Sequence, residues 1–197
     1  MLNRLITIAA VAAGGYVVAK QLKNKAARGK STVKESITVN VPVRTAYDQW
    51  TQFEQFPTFM DSVREVRQLD DKRLHWKADV LGKPVEWDAE ITEQIPDRCI
   101  AWRSTTGKLN KGVVTFDALP DKRCRITLTM TYQPEGALES IGDTLGAVRL
   151  EAAGNLKRFK EMIEQRGHET GAWRGTIHST GQSQGQTQSP GNSPATH

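Results

Sequence analysis

The chain has 197 residues and a formal net charge of +5, enough for one domain with appendages. The positive excess sits in residues 1–32, which hold six basic side chains and no acid, so residues 33–170 carry a net charge of −2. That sign argues against nucleic-acid binding by the domain, which would want a basic face of its own.

The first element is apolar. Leu5 to Ala19 is interrupted only by Thr7 and ends at Lys20. A membrane span usually takes about 20 residues, and this run approaches the minimum once Leu2 and Asn3 are added and Arg4 snorkels. Two readings compete. A cleaved signal peptide would use Val17-Val18-Ala19 before the cut and send the protein out of the cell. An uncleaved anchor is favoured, because Lys20, Lys23, Lys25, Arg28 and Lys30 resist translocation and mark the cytoplasmic side. Residues 1–32 are therefore expected to be an N-terminal hydrophobic helix and a basic linker. They would hold the domain on the cytoplasmic face of the inner membrane.

Residues 33–39 (VKESITV) alternate apolar and polar, the period of a half-buried strand. Pro42 then opens a helix, since its fixed φ suits the first turn. Val43, Ala46, Tyr47, Trp50 and Phe53 recur at helical spacing, and Phe56, Phe59 and Met60 follow around Pro57. So much aromatic surface on a short helix is expected to cover the open side of a curved sheet. A meander of strands comes next. Val63 to Leu69 is a weak one. Leu74, Trp76, Ala78 and Val80 alternate with His75, Lys77 and Asp79, and Val85, Trp87, Ala89 and Ile91 with Glu86, Asp88 and Glu90. Ile100, Trp102 and Ser104 alternate with Cys99, Ala101 and Arg103; residues 112–118 and 123–132 complete the set. Short strands joined by tight turns make an antiparallel sheet with one wet face.

The period then lengthens. Leu138, Ile141, Leu145, Val148, Ala152, Leu156, Phe159 and Ile163 step by three or four, which predicts one long helix over 138–166 ended near Gly167. Gly142, Gly146 and Gly154 inside it suggest close approach to the sheet or a ligand, plain packing on the sheet being the simpler cause. The final stretch is Ser, Gly, Gln, Thr and Pro with almost no large apolar group, so residues 171–197 are expected to be a disordered tail. The domain is placed at 33–170.

Several motifs have a family look. EVRQLDDKRLHW, VEWDAEITEQIPD, IAWRST, GVVTF and ETGAWRG together resemble the bacterial SRPBCC proteins. This is the START-like superfamily, labelled polyketide cyclase/dehydrase or coenzyme Q-binding START domain. The resemblance spans about residues 33–175. It implies an α+β helix-grip fold, in which a curved antiparallel sheet wraps the long C-terminal helix. It also implies an apolar cavity for a lipid, quinone, polyketide or other hydrophobic molecule.

The residues themselves show no catalytic constellation. Glu86, Asp88, Glu90 and Glu93 resemble a carboxylate cluster for acid/base work, but they alternate with Trp87 and Ala89 and so belong to the wet face. His75 shares that face. Arg103 is the best polar candidate for a pocket, and surface placement is the simpler reading. Tyr47 and Tyr132 could each bond a ligand carbonyl, although buried tyrosines commonly satisfy backbone groups. No metal-ligand spacing, phosphate loop or cofactor motif appears. In the helix-grip order that the resemblance implies, Cys99 and Cys124 lie on strands separated by a third, about 9.6 Å apart at two strand spacings. That is beyond a disulfide's reach, so both thiols are expected to be free.

The binding reading rests on apolar side chains. Trp50, Phe53, Phe56, Phe59, Trp76, Trp87, Trp102 and Phe116 are expected to line the inner surface with Met130, Tyr132 and Leu145, in the manner of an apolar ligand pocket. The expected function is a membrane-tethered carrier or binder of a hydrophobic small molecule. A polyketide cyclase or dehydratase, or an interaction module without ligand, are the alternatives.

Overall fold

The structure is a computed structural model and describes residues 30–80, 82–133 and 141–179. Strand β1 (Ser31–Val39) is followed by helix α1 (Val43–Trp50) and a 3₁₀ turn (Phe53–Thr58). Six strands follow as a meander: β2 (Val63–Gln68), β3 (Arg73–Val80), β4 (Lys83–Ile95), β5 (Cys99–Ser104), β6 (Asn110–Leu119) and β7 (Arg123–Tyr132). Helix α2 (Ile141–Arg166) comes last. All seven strands form one antiparallel sheet in the order β1-β7-β6-β5-β4-β3-β2. The expected helix grip is thus present. The apolar run 5–19, the predicted first turn of the long helix at Leu138 and residues 180–197 lie outside the described residues. Among the described residues, no helix is long and apolar enough to cross a membrane.

Strand parity decides which face is inside. Val33, Val39, Leu74, Ala78, Ala89, Ile100, Val114, Phe116, Ile126 and Leu128 are buried on the concave face. Ala152, Leu156, Phe159 and Ile163 of α2 are buried against it, and α2 runs along β1 while α1 crosses β6 and β7. Trp50 joins these layers. Its ring makes edge or tilted contacts with Phe56 at 5.7 Å, Phe59 at 6.0 Å, Phe116 at 6.0 Å and Phe159 at 4.8 Å between centroids. Such pairs add to the area they bury. Pro42 stands just before α1 as its cap residue, one position earlier than the sequence reading put it.

Three expectations need correction. First, β4 is longer than the alternating run 85–91, because a register shift between Ile91 and Glu93 lets it continue. The extra residue turns Gln94 inward, where it is buried. Second, Gly146 and Gly154 mark no close approach to the sheet: a Cβ at Gly146 would meet nothing within 4 Å, and one at Gly154 would meet only the Arg158 side chain; the surroundings of Gly142 lie outside the described residues. Third, the fold does not stop at residue 170. Residues 167–178 form a strap from the end of α2 across α1 to β4. Ile177 is buried and pairs its backbone with Gln94 at 2.8 and 2.9 Å. The Trp173 amide donates to Thr51 Oγ1 at 3.0 Å, and Arg174 reaches Asp48 and Asp97. Few apolar residues carry this strap, so its sequence reads as tail although its contacts are those of a folded segment.

Both cysteines are free, as expected. They are separated by β6 and also lie on opposite faces, since Ile100 and Ile126 point inward while Cys99 is out of phase with that face and Cys124 is in phase. Burial pushes the Cys124 thiol up to about 12, with Asp117 adding to the effect, and burial raises Cys99 as well. A thiolate is the reactive form. The folded protein should therefore react slowly with a disulfide-type thiol reagent at mildly alkaline pH, with Cys124 silent. Unfolding in denaturant without reductant should release two reactive thiols, and a count below two would contradict the assignment.

Candidate functional site

A cavity of about 250 Å³ lies between the concave face of the sheet and α2. It exists because small side chains stand where large ones would fill the space. Ala78 on β3, Ala89 on β4 and Ala152 on α2 are all buried and all on its wall. Large aromatic groups surround them. Trp76 and Trp87 are direct partners across β3 and β4. Their rings stack with centroids 5.6 Å apart and planes 8° from parallel. Phe56 meets Trp76 edge-on at 5.7 Å. Trp102 continues the wall on β5, and its ring passes close over Gly112, its partner on β6. A Cβ at Gly112 would come within 2.6 Å of that ring and 2.5 Å of the Thr129 carbonyl. Glycine here is what lets the indole lie flat along the sheet.

Most of the expected aromatics meet at this cavity. Trp50, Phe53, Phe56, Trp76, Trp87 and Trp102 are on the wall, with Met130 and Tyr132. Phe59, Phe116 and Leu145 are not. Parity placed Phe116 on the correct face, but it sits further along β6 under α1, packed against Tyr47 at 5.5 Å and Trp50. Phe59 is held between Phe56 at 5.1 Å and Phe159 at 5.2 Å and is solid core. Leu145 packs half-buried at the edge of the core. Alternation reveals a face but not which part of that face is covered.

The polar candidates divide in the same way. Glu86, Asp88 and Glu90 stand on the outer face. Arg103 pairs there with Glu90 at 2.6 Å, and His75 is half-buried beside Asp88 at 2.7 Å. Tyr47 is fully buried but away from the cavity; its hydroxyl accepts from Gln94 Nε2 at 3.0 Å. The Tyr132 ring is on the wall, while its hydroxyl is buried with no partner within hydrogen-bond distance among the described residues. Burial raises that phenol, and Ser31, opposite it on β1, works the other way.

Sequence reasoning missed the polar part of the wall: Ser62, Asn110, Glu151 and Asn155. The Ser62 hydroxyl donates to Glu151. Asn110 Oδ1 accepts from Trp102 Nε1 at 3.3 Å. Glu151 and Asn155 had a signal. Val148, Glu151, Ala152 and Asn155 recur at i, i+3, i+4 and i+7, which is one helix face, and all four reach the cavity. Among the described residues, no group of His, Cys, Asp and Glu is placed to hold a metal ion. The arrangement can enclose an apolar ring system and present a few hydrogen-bonding groups to its ends.

Residues 39–161 match the family described as polyketide cyclase / dehydrase and lipid transport. An uncharacterized 17.2 kDa protein of Streptomyces lincolnensis is 50% identical over 148 residues, covering 75% of this chain and 99% of that protein. A solved structure from Deinococcus radiodurans is 28% identical with a TM-score of 0.56, covering 69% of this chain and 99% of its own. The Zhui aromatase/cyclase from Streptomyces sp. R1128 shares the fold, with a TM-score of 0.61 at 16% identity, covering 74% of this chain and 100% of that one.

Proposed function

Because the chain belongs to the polyketide cyclase/dehydrase and lipid transport family, we propose that it binds a hydrophobic small molecule between sheet and helix and carries it unchanged. The observation that supports this is the cavity itself: buried alanines keep about 250 Å³ open inside an aromatic wall. An engineered apolar cavity of roughly 150 Å³ already takes up benzene. This one has room for a larger ring system. A module that needed no ligand would gain several kcal/mol by filling such a space with larger side chains.

Native mass spectrometry of the purified full-length chain tests the reading. A bound hydrophobic molecule is expected, released by organic solvent and replaceable by a naphthalene-sized probe. Ala89→Phe, which fills the cavity from the centre of its sheet wall, should lower probe affinity by at least about thirtyfold while the melting temperature holds or rises. A wild-type protein that is empty and takes up no such probe would overturn the proposal.

A second reading, a cyclase or dehydratase acting on a polyketide-like substrate, is favoured by one observation. A carboxylate and a hydroxyl, Glu151 and Ser62, are hydrogen-bonded to each other on the cavity wall. Recovery of a cyclised or dehydrated product that disappears in Glu151→Gln would favour it over a carrier.

We also propose that residues 5–19 tether the domain to the cytoplasmic membrane. The apolar run and the basic flank that follows it support this. A reporter fused after residue 197 should be active only in its cytoplasmic form, and deletion of residues 1–30 should release a soluble domain, since β1 begins at Ser31. A mature chain starting at Lys20 would instead identify an export signal.

A further inference from the structure

The cavity wall is apolar except at a few positions, and the polar group at its mouth has a definite sign. Among the described residues, Glu151 is the one acidic or basic side chain on the wall. It is exposed, which places it at the opening. Ser62 donates to one of its oxygens. One turn further along α2, Asn155 accepts from Arg158 through Oδ1, so its NH₂ is the end left to bond a ligand. The Arg158 guanidinium that holds Asn155 is itself engaged. It donates to the Phe59 carbonyl at 2.8 Å and to Asn155, and it pairs with Asp61 at 3.1 Å. The mouth therefore offers a carboxylate that accepts and an amide that donates, and among the described residues no Lys or Arg is on the cavity wall.

We infer that this mouth selects the head of the bound molecule, admitting a hydroxyl-bearing hydrophobe, such as a phenol, enol or alcohol, and rejecting a carboxylic acid. A hydroxyl can donate to Glu151 and accept from the Asn155 amide at once. An acid head would bring a second carboxylate against Glu151, and it would draw its own charge from water toward apolar walls, where a desolvated charge without a partner is costly. A site built on hydrogen bonds discriminates strongly because a mismatched ligand leaves its groups unpaired. The inference rests on the proposed binding of a hydrophobic molecule in this cavity and adds the chemical class of that molecule's head.

The test uses the full-length chain, emptied of any co-purified molecule, and two probes of one shape, 2-naphthol and 2-naphthoate, at neutral pH. Trp76, Trp87 and Trp102 on the wall make intrinsic fluorescence the readout. The naphthol should bind at least about tenfold more tightly than the naphthoate. Glu151→Gln, an isosteric change at an exposed helix position, should bring the two within about threefold, chiefly by tightening the naphthoate. Naphthoate binding as well as naphthol in the wild type, or a gap unchanged in Glu151→Gln, would overturn the inference while leaving the cavity reading intact. Binding of neither probe would overturn both.

Discussion

Trp50→Ala should cost about 4 kcal/mol of folding stability, near the middle of the range for emptying a large aromatic site in a core. Trp50 is 4% exposed and touches rings from the 3₁₀ turn, β6 and α2. Its removal would leave a void that these elements cannot close together, because each is anchored elsewhere in the sheet or helix. The void would also merge with the cavity, since Trp50 is part of that wall. Trp50→Phe keeps a ring and should lose no more than about half as much. Urea unfolding of both variants checks the expectation. A loss below about 1.5 kcal/mol in the alanine variant would show that the aromatic cluster is less tightly coupled than its contacts imply.

Arg174→Ala should cost about 3 kcal/mol. Asp48 on α1 is 1% exposed, and its carboxylate depends on Arg174 at 2.7 Å. Removing one partner of a buried pair strands the other, which costs about 3–5 kcal/mol. The low end applies, because the Arg174 side chain keeps 30% of its surface and Arg44 stays 3.5 Å from the other Asp48 oxygen. Arg174 also binds Asp97 at 2.6 Å and lies over the Tyr47 ring at 5.8 Å, so the strap should loosen with it. Asp48→Asn in the same background should restore part of the loss by removing the stranded charge. A double-mutant cycle that returns a coupling below about 0.5 kcal/mol would sink this account.

These two residues differ in how readily a sequence discloses them. Trp50 was legible: it falls at helical spacing with Ala46, Tyr47 and Phe53, and a ring on such a stripe has to be buried somewhere. The meander was legible for the same reason, from alternation and turn residues, while the helix grip as a whole came from the family resemblance. Arg174 was not. It sits in a stretch of Gly, Thr, Ser and His with no period, and its importance comes from two aspartates 77 and 126 residues earlier in the chain. Gln94 was hidden by the register shift before it, which breaks the alternation used to read the strand. At the site, the aromatic wall could be read from parity. Phe59 and Phe116 were misplaced because depth within a face has no sequence period. Glu151 and Asn155 were passed over because charged and amide groups on a helix normally face water, and only the sheet opposite shows that this face looks into a cavity.

The pairing of β1 with β7 has a consequence in time rather than in space. These strands join Val39 to Cys124 and Ser31 to Tyr132, contacts 85 and 101 residues apart in the chain. The entropy of closing so large a loop must be met before any of those hydrogen bonds forms. Sheets dominated by such distant contacts fold in milliseconds to seconds, whereas helical bundles take microseconds to milliseconds. During that interval the meander can assemble hairpin by hairpin from neighbours, while β1 waits with Val33, Ile37 and Val39 uncovered. The strand that completes the grip is thus the first one synthesised and among the last to be paired, and it is where a crowded or overheated chain would first go astray.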